Sequence, residues 1–139
     1  MKQHQETIEI RTPGRGFVEI TRELASAVTA SGVRTGLATV FCRHTSCSLL
    51  IQENADPSAR RDMEHWLQKV APEHDPDYTH TAEGPDDMPS HLRSMITKTS
   101  ESIPVTDGRC ALGTWQGLYL AEHRARPHTR TLVIHVSGE

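Results

Sequence analysis

Between His80 and His91 the chain reads HTAEGPDDMPSH: two imidazoles bracket a short segment that holds adjacent carboxylates, Asp86 and Asp87, and the prolines Pro85 and Pro89. Imidazole is the side chain most often used as a metal ligand, and it changes charge near neutral pH. A carboxylate beside an ion can orient an imidazole through its second nitrogen, or take a proton from ion-bound water. A packed core has little use for such a cluster, and a solvated loop does not need imidazoles. The composition points the same way, since nine histidines stand against two Phe, two Tyr and two Trp. Metal binding or acid–base work is the chemistry these residues suggest.

The remaining composition sets bounds. A chain of 139 residues suits one compact domain spanning residues 1–139, large enough to bury a core and too short for two ordinary domains. A net charge of −3 with the signs interspersed is no nucleic-acid footprint, so a nucleic-acid partner is not expected. The opening MKQHQETIEIRTPGRG has no apolar leader core, and nothing approaches the roughly 20 apolar residues of a membrane span, so a cytoplasmic protein without a membrane partner is expected. Cys42, Cys47 and Cys110 lack framework spacing and read as reduced thiols.

The elements that must position the histidines can be read in outline. Thr7–Ile10 and Phe17–Ile20 suit strands flanking the turn Thr12–Gly16, which predicts a hairpin. Leu24, Ala27, Val28 and Ala30 form one face of a helix over Thr21–Ser31, with Thr21 as N-cap and Gly32 past its end. GLATVFC and CSLLIQ read as two strands, or one strand bent at His44. Asp56-Pro57 starts a helix that carries Ala59, Met63, Trp66, Leu67 and Val70 on one face. A second helix, Pro89 to about Thr97, is expected to bury Leu92, Met95 and Ile96. Strands then follow at Ser102–Thr106, Cys110–Glu122 and Thr131–Val136, with a turn at Asp107-Gly108. The fold class expected is α+β: a mixed, largely antiparallel sheet packed by two or three helices.

Taken in order, HTSCSLLIQENADP, YTH, GPDDMPSHL, SIPVTDGRCALGTWQGLYLAEHR and HTRTLVIHV resemble the YjbQ-like family, known as secondary thiamine-phosphate synthase enzymes, from about Thr7 to Gly138. The resemblance implies a small α+β fold, a homotrimer, and a site built from the HTS segment, the histidine after Tyr78 and the Asp and His of the HTAEGPDDMPSH loop. His44, His80 and His91 are then the metal ligands, three imidazoles that leave a position open for water or substrate. The ion is divalent, and zinc suits imidazole best. Where much of the family reads Asp-Asn ahead of the second histidine, this chain has Asp86-Asp87.

Around that trio, Asp86 and Glu53 are the candidate acid or base, although Glu53 could equally serve the N-terminus of the Pro57 helix, and Asp87 is better placed to cap the helix that follows it. Thr45, Ser46 and Arg130 could bind a substrate phosphate, the arginine through a bidentate fork. Gln116, opposite a buried Trp115, could reach the same site, while Arg124 and Arg126 read as a solvated edge. His65, His123 and His135 take structural or surface roles. The function these readings imply is a metal-dependent enzyme acting on a small phosphorylated metabolite, with thiamine-phosphate synthesis from a pyrimidine diphosphate and a thiazole phosphate as the family reaction. A metal-dependent hydrolase and a trimeric, non-enzymatic anion- or metal-binding module are the alternatives. Dedicated enzymes for that synthesis resemble TIM barrels, which need about 200 residues or more, so this chain is not one of those.

Overall fold

In the computed structural model, which describes residues 1–139, eleven elements follow one another: β1 (Lys2–Thr12), β2 (Gly16–Glu19), α1 (Thr21–Ser31), β3 (Thr35–Cys42), β4 (Cys47–Glu53), α2 (Pro57–Val70), α3 (Asp87–Ile96), β5 (Ser100–Thr106), β6 (Arg109–Cys110), β7 (Gln116–Glu122) and β8 (His128–Gly138). They form two sheets, β1-β8-β3-β5-β6 and β2-β7-β4. Every strand pair is antiparallel, so the expected α+β class holds and the sheets contain no parallel pair.

The alternation of apolar residues decides which face each strand buries. On β8, Leu132, Ile134 and Val136 point inward at period two, as do Ala38, Val40 and Cys42 on β3 and Ile103 and Val105 on β5. β7 is buried on both faces from Gly117 to Glu122: Leu118 and Leu120 enter the core, while on the opposite face Tyr119 lies edge-on to Phe17 and beneath the Arg60 guanidinium of α2. Leu24, Ala27 and Val28 of α1 join Leu49, Leu118 and Leu120 in the same core of 18 side chains. Each fully buried Leu, Ile or Val there contributes roughly 1.5–3 kcal/mol. Gly32 ends α1 in the left-handed conformation (φ 68°), which glycine adopts without strain, and its N–H reaches the Thr29 carbonyl.

Three local expectations are corrected. The turn at Thr12–Gly16 makes no hairpin: β1 pairs with β8 and β2 with β7, so the turn carries the chain from one sheet to the other. Residues 43–46 do the same between β3 and β4. Thr21 is not the N-cap of α1; its hydroxyl instead accepts from the Leu118 N–H and donates to Glu19. The third correction concerns the later helices. α2 starts as expected, with Asp56 accepting from the Ser58 N–H, yet only Leu67 of its apolar face is fully buried. Trp66 is 57 % exposed, and Met95 and Ile96 of α3 are 76 % and 53 % exposed. What α3 buries is Asp87, Pro89, Ser90 and Arg93, a largely polar face in which Arg93 pairs with Glu64 of α2.

Candidate metal centre

α3 begins at Asp87, two residues before the position its prolines suggest, and the shift brings Asp87 and His91 four residues apart on one helical face. His80 arrives from the loop that precedes the helix. Its Nε2 lies 2.6 Å from Asp87 Oδ2, and His91 Nε2 lies 3.1 Å from the same oxygen. The two rings tilt toward each other with centroids 5.4 Å apart. One nitrogen from each histidine and one carboxylate oxygen thus lie within 4.8 Å of one another. The other carboxylate oxygen, Oδ1, accepts from Arg124 Nη1 at 2.8 Å, and Arg124 follows β7.

Burial pushes the Asp87 carboxyl up, but the His80 hydrogen bond and the charges of His91 and Arg124 outweigh it and hold the group below the usual carboxylate range. Asp87 is therefore an anion with only 3 % of its side chain exposed, while His80 and His91 keep 47 % and 31 %. The anionic end of the cluster lies inside, and the imidazole edges are open to solvent.

The protons on His91 carry further information. Its Nδ1 lies 3.0 Å from the Thr45 carbonyl, which can only accept, so Nδ1 carries a hydrogen. In a neutral ring Nε2 is then a bare lone pair facing a carboxylate oxygen. Two acceptors at 3.1 Å require a cation between or beside them, either a proton or a metal ion. A backbone carbonyl that fixes the remote nitrogen is the usual second partner of a metal-binding histidine. The donor set, two imidazoles and one carboxylate with solvent on one side, fits a divalent ion such as zinc.

His44 stands apart from this cluster. Its Nε2 accepts the Thr131 backbone N–H at 2.8 Å, which places its ring hydrogen on Nδ1. Burial, with the nearby charge of Arg130, lowers its pKa and keeps the ring neutral. The expected trio of histidines becomes His80, His91 and Asp87, with His44 instead lining an open cleft of about 660 Å³ beside Phe41, Arg43, Thr45, His91 and Met95.

The other candidates separate clearly. Asp86 does not face the cluster; it accepts from Arg124 Nε at 3.0 Å and the Ala125 N–H at 2.8 Å. Burial raises its carboxyl, and these donors bring it below the ordinary value. Glu53 accepts the Asp56 N–H at the start of α2, its structural alternative. It pairs with Gln116 at one end of β4, whereas Cys47 pairs with Glu122 at the other; at roughly 3.3 Å per residue this seven-residue strand sets both Glu53 and Gln116 about 20 Å from the site end. Gln116 folds back to accept the Gly113 N–H, and Trp115 is 64 % exposed rather than buried. Thr45 serves through its carbonyl, as does Ser46, which accepts from the His123 N–H and from Arg130. Arg130 continues the inward row of Leu132, Ile134 and Val136, so it is internal, and its fork is occupied by Glu122. It cannot reach a substrate phosphate.

Two residues at the site were not given their roles by the sequence. The spacing Asp87-x-x-x-His91 is a helical pairing once the helix starts at Asp87, a signal available in the sequence but obscured by Pro89. Arg124 lies far from the loop in sequence, and no local pattern connects it to Asp87.

The chain matches the family model for UPF0047 protein YjbQ-like over residues 6–139. It is 52 % identical over 138 residues to a UPF0047 protein of Synechocystis sp., covering 99 % of this chain and 94 % of that one. It is 42 % identical over 137 residues to the UPF0047 protein YjbQ of Salmonella typhimurium, covering 98 % and 99 %. A crystal structure of a YjbQ/UPF0047 family protein from Clostridium acetobutylicum superposes with a TM-score of 0.84 at 34 % identity, over 96 % of this chain and 98 % of that one. A conserved protein from Thermus thermophilus gives a TM-score of 0.83 at 36 % identity, over 93 % and 97 %. The fold, the order of the motifs and these likenesses agree: the chain belongs to the YjbQ-like UPF0047 family.

Proposed function

We propose that this protein is a metal-dependent enzyme acting on a small phosphorylated metabolite, with a divalent ion, zinc by preference, held by His80, Asp87 and His91. The observation that carries the reading is the convergence of one nitrogen from His80, one from His91 and an Asp87 carboxylate oxygen within 4.8 Å of one another, with the His91 ring oriented by the Thr45 carbonyl on its far side. When bound, such an ion supplies positive charge for the oxygens of a phosphate or a departing pyrophosphate.

The chain's own residues would divide the remaining work. Asp87 balances the ion's charge and is fixed by Arg124. His91 forms a wall shared by the cluster and the cleft, so a substrate seated against Phe41 and Met95 meets the site edge-on. Arg43 and the Nδ1–H of His44 offer that substrate a charge and a directed donor. A ring with a phosphate suits this mixture of apolar side chains, one cation and one neutral donor. The reaction favoured is the transfer named by the family resemblance, joining a pyrimidine diphosphate to a thiazole phosphate, as a weak secondary activity. Assembly as a homotrimer is part of the same proposal, supported by the exposed Trp66, Met95, Ile96 and Trp115, as is a cytoplasmic location. No helix is long and apolar enough to cross a membrane.

Zinc titration of chelator-stripped protein tests the centre. His80→Ala, Asp87→Asn and His91→Ala are each expected to weaken binding by more than the roughly 10–100-fold that loss of an outer-shell partner costs. His44→Ala should leave it unchanged. Absence of zinc binding by the wild type, or equal loss in His44→Ala, overturns the assignment. Pyrophosphate release on turnover supports the transferase, water-dependent cleavage indicates a hydrolase, and saturable binding without turnover indicates a binding module.

A further inference from the structure

Cys42 closes β3 and Cys47 opens β4, and their sulfurs lie 3.4 Å apart although the two strands belong to different sheets. Both residues are 1 % exposed, and Cys42 nevertheless forms part of the wall of the open cleft beside His91. Cys110 has no thiol neighbour. The four residues between the pair supply much of what orients the site. The Thr45 carbonyl accepts from His91 Nδ1, His44 Nε2 accepts from the Thr131 N–H, and the Ser46 carbonyl accepts from Arg130 and His123.

We propose that Cys42 and Cys47 are an oxidisable dithiol, and that their disulfide tightens the Arg43–Ser46 loop and displaces the Thr45 carbonyl that orients His91. A bonded sulfur pair lies about 2.05 Å apart, so closure must bring the two sulfurs together by more than an ångström, through rotation of both side chains and movement of the loop that joins them. A core packed like an organic crystal transmits such a shift to its neighbours. The two sheets constrain where the movement can go. Cys42 is held opposite Leu132 and Cys47 opposite Glu122, which leaves the short connection between them to adjust.

The oxidant class is a small hydroperoxide entering through the cleft. The Cys42 thiolate attacks one peroxide oxygen, the O–O bond breaks, and the departing hydroxide takes a proton to become water. Cys42 is then a sulfenic acid. The Cys47 sulfur attacks the Cys42 sulfur, the S–O bond breaks, and the hydroxide leaves with the Cys47 proton as a second water. Two thiols lose two electrons and two protons, and one hydrogen peroxide becomes two waters. A dithiol reductant reverses the change by thiol–disulfide exchange.

Trypsin cleaves between the two cysteines at Arg43, which makes the bond directly readable. Metal-free protein is treated with hydrogen peroxide, alkylated, denatured and digested. The expected product is the peptide 35–43 linked to the peptide 44–60, with Cys110 still alkylated. In the same metal-free sample, the His91 ring signals in a nitrogen–proton spectrum, assigned with His91→Gln, should shift on oxidation and return on reduction with dithiothreitol. Cys47→Ala should show neither change, and Cys42→Ala serves if that variant does not fold. Sulfinic acid at Cys42 without the linked peptides, linkage through Cys110, or a linked pair with unmoved His91 signals would each overturn the proposal. Because no metal is present, these outcomes are independent of whether the centre binds zinc.

Discussion

Arg130 directs Nε and Nη2 at the two carboxylate oxygens of Glu122, and both residues lie inside the protein, 4 % and 1 % exposed. Burial opposes both charges, and each is restored by the other: the Glu122 carboxyl is held below its usual range and the Arg130 guanidinium above its own. Arg130→Met leaves Glu122 buried without its counter-ion, held only by the Thr12 hydroxyl and the Arg124 N–H, and a loss of about 3–5 kcal/mol in unfolding free energy is expected by urea denaturation. The double variant Arg130→Met/Glu122→Leu should regain most of it. A double variant as unstable as the single one would show that the pair is not the source of the loss.

Arg124 has a different role, because it positions Asp87 instead of completing the core. Arg124→Met removes the Nη1 bond to Asp87 Oδ1 and the bonds to Asp86. Zinc affinity should fall roughly 10–100-fold while the circular-dichroism spectrum stays unchanged. Asp86→Asn keeps an acceptor for the Ala125 N–H and should fall by much less. Equal effects from both would mean the two carboxylates share the site.

His123 makes stability depend on pH. It is 1 % exposed; its Nε2 bonds Ser48, and its Nδ1 has no partner. Burial, with the charges of Arg93, Arg130 and Arg15 against that of Glu122, lowers its pKa to about 3. The unfolded chain therefore takes up a proton near pH 6.5 that the folded protein refuses. Stability from this residue is complete above that pH and falls as pH drops toward about 3, by up to about 1.4 kcal/mol per pH unit. Urea midpoints between pH 7.5 and 5 should decline more steeply for the wild type than for His123→Gln. Parallel slopes would place the dependence elsewhere.

A backbone contact gives the simplest test of the sheet register. A Cβ on Gly36 would lie 2.1 Å from the Ser137 carbonyl oxygen on β8. Gly36→Ala should therefore cost about 1–3 kcal/mol, as overpacking does, with β3 and β8 forced apart. An alanine tolerated without loss would mean the two strands meet in another register.

These residues show how far the sequence could be read. α2 was legible because Asp56-Pro57 is a local start signal, and α1 because Gly32 is a local stop. His80 and His91 were legible because few other uses exist for two imidazoles around one short acidic loop. The choice between Asp86 and Asp87 was not, since adjacent carboxylates point in different directions and only the first residue of α3 decides which one joins His91. The hairpin expected at Thr12–Gly16 failed for a related reason: turn residues report that a chain reverses, not which strand receives it. Arg130 was misread as a phosphate ligand because its partner, Glu122, lies on a strand of the other sheet. Its period-two alignment with Leu132, Ile134 and Val136 was the available warning.

The place of β8 between β1 and β3 governs the order in which the chain can be assembled. Lys2 pairs with Gly138 and Thr12 with His128, so the first strand synthesised waits for the last one before its inward row, Ile8, Ile10 and Thr12, has a neighbour. β3 waits for the same strand on one side, although β5 can reach it earlier on the other. Such sequence-distant pairing raises contact order and slows folding relative to a chain of local hairpins. During synthesis, residues 2–12 are an unpaired edge, and that edge is where a nascent chain of this protein is most open to pairing with the wrong partner.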